Sequence, residues 1–207
     1  MIQQGTEEWH LQRLGKATAS RIADIMARTQ KGWGASRANY AAELVCERLT
    51  GTRNEGYTNA AMAFGTENEP LARAAYEFRH DVTVALAGFV DHPKIAMSGA
   101  SPDGYVGADG LIEIKVPNSA THIQTLLAGT IPEKYRLQMA WQMSCTGRQW
   151  CDFVSFDPRL PEEMRMFVQR FERDDRLIAE LEREVELFLA EVDDTIKRLR
   201  NQYAEAA

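Results

Sequence analysis

The sequence lacks any stretch of apolar residues that approaches the roughly 20 needed to cross a bilayer. Its first ten residues, MIQQGTEEWH, also lack the basic and then apolar layout of a secretory signal peptide. Only three cysteines are present, Cys46, Cys145 and Cys151, and they form no Cys-x-x-Cys pair. These absences argue against a membrane protein, a disulfide framework and a zinc ribbon. We therefore expect a soluble, cytoplasmic protein whose cysteines pack as small apolar side chains.

Positive charge is also scarce, because 24 lysines and arginines face 30 aspartates and glutamates, for a net charge of −6. This balance argues against a nucleic-acid partner, since phosphates attract basic surfaces. The charges are unevenly distributed, however. The chain from residue 157 onward is crowded with acidic residues, whereas residues 16–53 are mainly basic. Because the place of the charge matters more than its sum, a DNA partner is not excluded.

The chain has 207 residues, of which 44% are hydrophobic, and is long enough to bury one sizeable core. Apolar residues at 3–4 spacing predict helices at 18–27, 36–50, 69–79, 119–128, 132–144 and 161–203. Runs of β-prone residues predict strands at 83–89, 95–100, 100–106, 111–116 and 149–156, with a loop at 31–34. We expect the apolar stripe of the last helix to pack on the chain's own core. The prediction is a single α/β domain over 1–207, with a core at 1–160 and a C-terminal helical extension at 161–207.

One hairpin carries the residues that suggest chemistry. A turn at 107–110 joins two β-prone runs. On the second strand Glu113 and Lys115 share one face, and Asp103 lies across the hairpin. Two carboxylates and a backbone carbonyl, here that of Ile114, are hard oxygen ligands suited to Mg²⁺, with Mn²⁺ as the alternative. On these residues alone, a surface strand with a solvated glutamate and lysine is an equally good interpretation.

A lysine beside such an ion has a definite chemical use. Lys115 is placed to orient or deprotonate an attacking water, or to contact a phosphate. Next to a dication its pKa is expected to fall.

The hairpin resembles a known signature. Ser-Pro-Asp-Gly at 101–104 and Glu-Ile-Lys-Val-Pro at 113–117 are similar to the PD-(D/E)xK nuclease motif, in particular to its lambda-exonuclease or YqaJ-type viral recombinase branch. Three further segments resemble motifs of that family in the same order, within 9–20 (WHLQRLG, then TAS), 64–78 and 135–159. The resemblance covers about residues 8–159. It implies a restriction-endonuclease-like core, a central mixed β-sheet flanked by helices.

The resemblance also implies roles for single residues of the catalytic group. Glu69 would join Asp103, Glu113 and the Ile114 carbonyl as a metal ligand. The segment from Thr66 to Glu69 also has capping-box spacing, which is the competing explanation. Lys115 and Gln138 would complete the catalytic group.

A second set of residues resembles the family's DNA-binding positions. Arg13 and Ser20, helped by Ser101, would hold a 5′-terminal phosphate, because a guanidinium fork suits a phosphate dianion. The alternative is a surface cation and a helix N-cap. Of the loop at 28–37, which resembles one that enters the DNA groove, Lys31 is the candidate contact, with Gln30 as the alternative.

The helix around Gln138 supplies the last candidates. Tyr135 and Gln142 lie at i−3 and i+4 from Gln138, so that one helical face would touch the DNA backbone or Lys115.

The function implied by the resemblance is a metal-dependent 5′→3′ exonuclease. It would degrade one strand of linear double-stranded DNA with 5′-phosphate ends to mononucleotides, leaving a 3′ single-stranded overhang for phage-type recombination. Family members are homotrimers that act beside a single-strand annealing protein, in a bacterial or phage-infected cell.

Three alternatives remain: a RecB-type exonuclease, an endonuclease on the same core, and a non-catalytic DNA-binding module. Three scattered cysteines oppose the iron–sulfur form of the first alternative. The presence of Glu69, Asp103, Glu113 and Lys115 together opposes the last one.

Overall fold

Helices and short strands alternate along residues 2–53 and 60–204, which the computed structural model describes. The α-helices are α1 (Glu7–Arg13), α2 (Ile22–Ile25), α3 (Ala35–Thr50), α4 (Ala60–His80), α5 (Ser119–Ala128), α6 (Glu133–Thr146) and α7 (Asp175–Ala204). The strands are β1 (Ala17–Thr18), β2 (Arg28–Thr29), β3 (Gly32–Trp33), β4 (Val84–Ala85), β5 (Val90–Asp91), β6 (Ser98–Ala100), β7 (Gly104–Val106), β8 (Gly110–Lys115), β9 (Trp150–Phe156) and β10 (Met166–Glu172). Short 3₁₀ helices occur at Ala19–Arg21 and Glu162–Met164.

The largest sheet has five strands in the order β10-β9-β8-β7-β4. Strand β8 runs parallel to β9, whereas the other neighbouring pairs are antiparallel, so the sheet is mixed. Alternate side chains of β8 face two different apolar clusters, with Leu111 in one and Ile112 and Ile114 in the other. A smaller sheet has the order β1-β6-β5, and β2 and β3 form a hairpin. The predicted mixed α/β fold is confirmed, and its hairpin at 100–116 forms the centre of the sheet.

Helix α7 covers one side of the core. Its side chains at 3–4 spacing are buried, as expected: Ile178, Leu181, Val185, Phe188 and Val192. Burial of each such side chain contributes about 1.5–3 kcal/mol. The Phe188 ring stacks on Tyr40 of α3 with centroids 5.4 Å apart. No helix in the described part of the chain is apolar over a length that would cross a bilayer.

Acidic residues of α7 neutralise part of the basic segment at 16–53. Arg37 pairs with Glu191 at 2.8 Å, and Arg48 pairs with Asp193 at 2.7 Å. Ion pairs within the molecule therefore neutralise part of the charge that is unevenly distributed along the sequence. The basic segment presents less positive charge to a partner than its composition suggests.

The prediction of a helix throughout 161–203 is wrong at its start. Residues 166–172 form β10, which pairs with β9 over seven residues. The segment carries the β-prone residues Phe167, Val168 and Phe171, and the free edge of β9 supplies the partner that an isolated segment lacks. The helix begins only after Asp174, whose Oδ1 accepts from the backbone N–H groups of residues 176 and 177.

Four smaller elements also differ from expectation. Helix α4 begins at Ala60, nine residues before the predicted start, so Thr66 lies inside the helix and the capping-box interpretation is wrong. Pro70 is accommodated within this helix. The expected loop at 31–34 contains strand β3, and the strands expected at 83–89 and 95–100 are shorter, at 84–85 and 98–100.

Candidate active site

The carboxylates meet at the middle of the central sheet. Gly104 pairs with Ile112 across the β7–β8 hairpin, and continuing this antiparallel register places Asp103 opposite Glu113. The Asp103 carboxylate accepts a hydrogen bond from the backbone N–H of Ile114 at 2.6 Å. Glu113 is fully buried. The surface-strand interpretation of Glu113 is therefore wrong.

Glycine at 104 is needed for this arrangement. A Cβ atom at this position would lie 2.2 Å from Cγ1 of Val84, a separation that real Cβ atoms do not show. The strand that follows Asp103 can approach β4 this closely only without a side chain. The Asp-Gly pair thus carries a carboxylate and permits the packing beside it.

Helix α6 supplies two hydrogen-bond donors to Glu113. The Gln138 side-chain amide donates to Oε1 at 2.7 Å, and the Gln142 amide donates to Oε2 at 2.6 Å. The two glutamines are four residues apart and so lie on one helical face. The Lys115 ammonium contacts Oε1 of the same carboxylate. Gln142 is itself completely buried and contacts Glu113, whereas a contact with the DNA backbone or Lys115 had been expected.

Negative charge is concentrated at this place. Burial, followed by the charge of Glu113, raises the pKa of Asp103 well above its usual range, and Glu69 adds to the effect, although Lys115 opposes it. Burial also raises the pKa of Glu69, against the attraction of Arg73 and Lys115. The three carboxylates form, with Lys115, the carboxylate cluster. A cation would relieve their mutual repulsion.

In the protein without metal, opposing effects set the pKa of Lys115. Burial alone would lower it, but the negative charges of Glu113 and Asp103 outweigh burial and raise it. Lowering the pKa would need a dication that offsets those two carboxylates. In the protein without metal, Lys115 is a firmly held cation.

The donor chemistry of the cluster fits a hard divalent ion, since all three acidic side chains offer oxygen. Within residues 2–53 and 60–204, no three carboxylate, imidazole or thiolate side chains are arranged as a ready coordination set. Both Glu113 oxygens accept one hydrogen bond from a glutamine of α6. The residues therefore fit the ion by chemical type and by charge.

A cavity of about 360 Å³ lies near the N-terminal helix and is lined by both Arg13 and Ser20. The other basic residues in its lining are His10, Lys16, Arg21 and Arg53. The cavity also contains Glu43 and Glu47, but these carboxylates bind Arg21 and the backbone N–H of Gly15. We call this cavity the cationic pocket.

Arg13 is held in place without an acidic partner. Its guanidinium lies 4.2 Å from the ring centroid of Trp9. Ser101 Oγ accepts from Arg13 at 3.1 Å and from the Trp9 indole at 3.0 Å. Among the described residues, no carboxylate lies within ion-pair distance of Arg13. Burial, with Arg53 contributing, lowers the pKa of Arg13, although Tyr40 and the negative charge of Glu47 oppose this. Such a guanidinium retains donors for an anion.

The remaining predicted residues lie apart from this pocket. The Tyr135 ring stacks on Phe153 with centroids 5.2 Å apart, and the Lys115 ammonium lies 5.3 Å from its centre. Lys31 is exposed in the turn between β2 and β3. His122, the histidine closest in sequence to β8, is buried and bonded to Ser155 and to the carbonyl of residue 164.

These observations define a mixed α/β protein with one carboxylate and a lysine on the central strand of its largest sheet and a second carboxylate across the hairpin from them. The model of the YqaJ-like viral recombinase domain matches residues 8–149, and the chain belongs to this family.

Solved structures support the same assignment. The alkaline exonuclease LHK-Exo from Laribacter hongkongensis is 55% identical, and the match covers 98% of this chain and 100% of that chain. The TM-score is 0.92 for that structure and 0.93 for LHK-Exo in complex with dAMP. A phage-related exonuclease from Haemophilus somnus 129PT matches over 89% of this chain and 96% of that chain with a TM-score of 0.70. At 16% identity it shows the fold alone. Curated proteins gave no significant match.

Proposed function

We propose that this protein is a metal-dependent 5′→3′ exonuclease. It degrades one strand of linear double-stranded DNA to mononucleotides and leaves a 3′ single-stranded overhang for recombination by strand annealing. The observation that carries the proposal is the closeness of the two sites. Ser101, bonded to Arg13 of the cationic pocket, is only two residues from Asp103 of the carboxylate cluster. Two residues span at most roughly 7 Å of extended chain.

This spacing explains how one nucleotide is removed at a time. A 5′-terminal phosphate bound by Arg13, Ser20 and Ser101 places the next phosphodiester bond toward Asp103 and Glu113. Binding of the end, rather than of an internal phosphate, then decides where cleavage occurs. Tyr135 and Lys31 contribute contacts to the DNA from α6 and from the β2–β3 turn.

Glu69, Asp103 and Glu113, with the main-chain carbonyl of Ile114, would hold Mg²⁺ or Mn²⁺. When bound, this ion lowers the pKa of a coordinated water and offsets charge at the phosphate. Lys115, a cation at the mouth of the cluster, orients the attacking water or contacts the scissile phosphate. Gln138 keeps the Glu113 carboxylate in place through its hydrogen bond.

The 55% identical relative supports the proposed product. Its structure contains dAMP, a nucleoside monophosphate of the kind that this reaction releases. A homotrimer with a closed ring around the duplex, acting beside a single-strand annealing protein in a bacterial or phage-infected cell, completes the proposal. Cyclic symmetry of this kind is common among oligomers.

The test uses linear duplex with a 5′ phosphate, labelled separately at each end of one strand. With Mg²⁺ or Mn²⁺ we expect mononucleotides from the 5′ label at once, late loss of the 3′ label, and no reaction in EDTA. Fixed internal fragments would indicate an endonuclease, and early loss of the 3′ label would indicate the opposite polarity. Intact DNA under all metal conditions would refute the proposal.

A further inference from the structure

Gln142 has an unusual environment for a side-chain amide. It is completely buried, and its amide nitrogen donates to Glu113 Oε2 at 2.6 Å. Its amide oxygen is buried without a hydrogen-bond partner among the described residues. The amide cannot be turned over, because that would place its oxygen against the Glu113 carboxylate.

An unpartnered buried carbonyl costs free energy that a leucine of similar size would avoid. Packing alone therefore does not account for glutamine at this position. What the glutamine provides is the donor to Oε2. Among the described residues, the other donors to this carboxylate, Gln138 and Lys115, both contact Oε1.

We propose that Gln142 is a positioning residue that holds Oε2 of Glu113, so that the carboxylate presents a fixed edge to the divalent ion. The inference rests on the proposed function. Each carboxylate oxygen has two acceptor sites, so the hydrogen bond from Gln142 leaves a second site open for a cation. Without Gln142, Glu113 is held at one oxygen only and can rotate about it.

The first measurement is binding of Mn²⁺ alone by calorimetry, without DNA. Gln142→Leu and Gln142→Met, two variants of similar volume without the donor, should bind Mn²⁺ about 10–100-fold more weakly, as is typical when a residue supporting a metal ligand is lost. The matched control is Gln169→Leu on β10. Gln169 also has a buried oxygen without a partner, but it is not bonded to Glu113, and its variant should bind like the wild type.

The second measurement determines whether the loss of activity appears in kcat or in KM. At a fixed metal concentration the Gln142 variants should lose kcat by a similar factor with KM for DNA unchanged, because a buried side chain cannot contact the duplex. Combination with Gln138→Leu should give less than the product of the two single effects, since both amides act on one carboxylate.

The outcomes separate the two proposals. Wild-type protein that binds Mn²⁺ but leaves DNA intact would refute the nuclease function, while the Mn²⁺ comparison still tests Gln142. Wild-type digestion with unchanged Mn²⁺ affinity in both folded Gln142 variants would refute the positioning role alone. Failure of both variants to fold would make Gln142 a structural residue and also overturn the inference.

Discussion

The carboxylate cluster and the cationic pocket are linked through Ser101, which binds Arg13 and lies two residues before Asp103, yet they are built in opposite ways. In the cluster, Glu113 is fully buried and both of its oxygens accept hydrogen bonds from the protein. In the pocket, Arg13 donates to one serine and has no carboxylate partner among the described residues. The protein holds the cluster through both oxygens of Glu113, whereas among the described residues it holds the Arg13 guanidinium through one hydroxyl and one ring.

The two regions also come from different elements. The cluster combines residues of α4, of β8 and of the segment just before β7, while the pocket is lined mainly by residues of α1, α3 and the short 3₁₀ helix between β1 and α2. Because different helices and strands hold them, a substitution in one region need not disturb the other. Chemistry and recognition of the DNA end should therefore be separable by mutation.

The largest effect is expected from Asp103→Ala. Loss of a metal-binding carboxylate should reduce the cleavage rate by more than the about 100-fold typical for a supporting residue. Binding of duplex DNA, measured by fluorescence anisotropy, should be kept. Asp109→Ala, at an exposed position in the turn of the same hairpin, is the control and should cleave normally. Appreciable cleavage by the Asp103 variant would place the chemistry elsewhere.

The next effect concerns the pocket alone. Arg13→Ala should slow initiation on 5′-phosphorylated ends by about 10–100-fold, since hydrogen bonds to a charged group contribute about 1.5–3 kcal/mol. Digestion of 5′-hydroxyl ends should change little. Arg183→Ala, an exposed arginine of α7, serves as the control. If Arg13→Ala lowered both rates equally, the separation of recognition from chemistry would fail.

The smallest effect is a change in thermal stability. Replacement of an aspartate by asparagine should raise stability at Asp103 and lower it at Asp157. The raised pKa of Asp103 in the folded protein means that its ionised form opposes folding above about pH 4. In EDTA at pH 8, Asp103→Asn should therefore melt a few degrees higher than the wild type, with the difference closing as the pH falls toward 4.

Asp157 provides the matched comparison. Although burial opposes ionisation, hydrogen bonds from Arg159 and Ser119 lower the pKa of Asp157 to about 2. Its ionised form stabilises the fold above its usual pKa, and this contribution is lost as the pH falls from about 4 through 2. Asp157→Asn should be less stable than the wild type at pH 7, by about 1 kcal/mol. Thermal melting across this pH range checks both signs, and equal behaviour of the two variants would contradict the assignment.

Much of the secondary structure could be predicted from local sequence patterns. The hairpin at 100–116, the helix at 119–128 and the strand near 150–156 follow from alternation, turn residues and helical spacing. Strand β10 was missed because its strand character depends on pairing with β9, a partner that local periodicity does not show. The start of α4 was missed because Pro70 suggests a helix beginning where this helix continues.

The residues of the candidate site could be predicted from the sequence to a similar degree. The residues of the hairpin and their shared face were predictable, and the spacing of Gln138 and Gln142 placed them on one face of a helix. That both amides bind Glu113 depends on how α6 packs over the sheet, which no spacing within α6 indicates. The metal-ligand and phosphate-binding roles stay predictions.

By itself the sequence determined the α/β class and the hairpin that carries Asp103, Glu113 and Lys115, because alternation and turn chemistry act over a few residues. The family followed from the resemblance of several ordered motifs, not from local periodicity. Only the tertiary structure decided that Gln142 faces Glu113, that acidic residues of α7 neutralise part of the basic segment, and that Arg13 binds Ser101. Those outcomes arise because the fold buries together charges and hydrogen-bonding groups that are distant in the chain. Their energies are set by which partner each group meets, and the linear order of residues does not specify that partner.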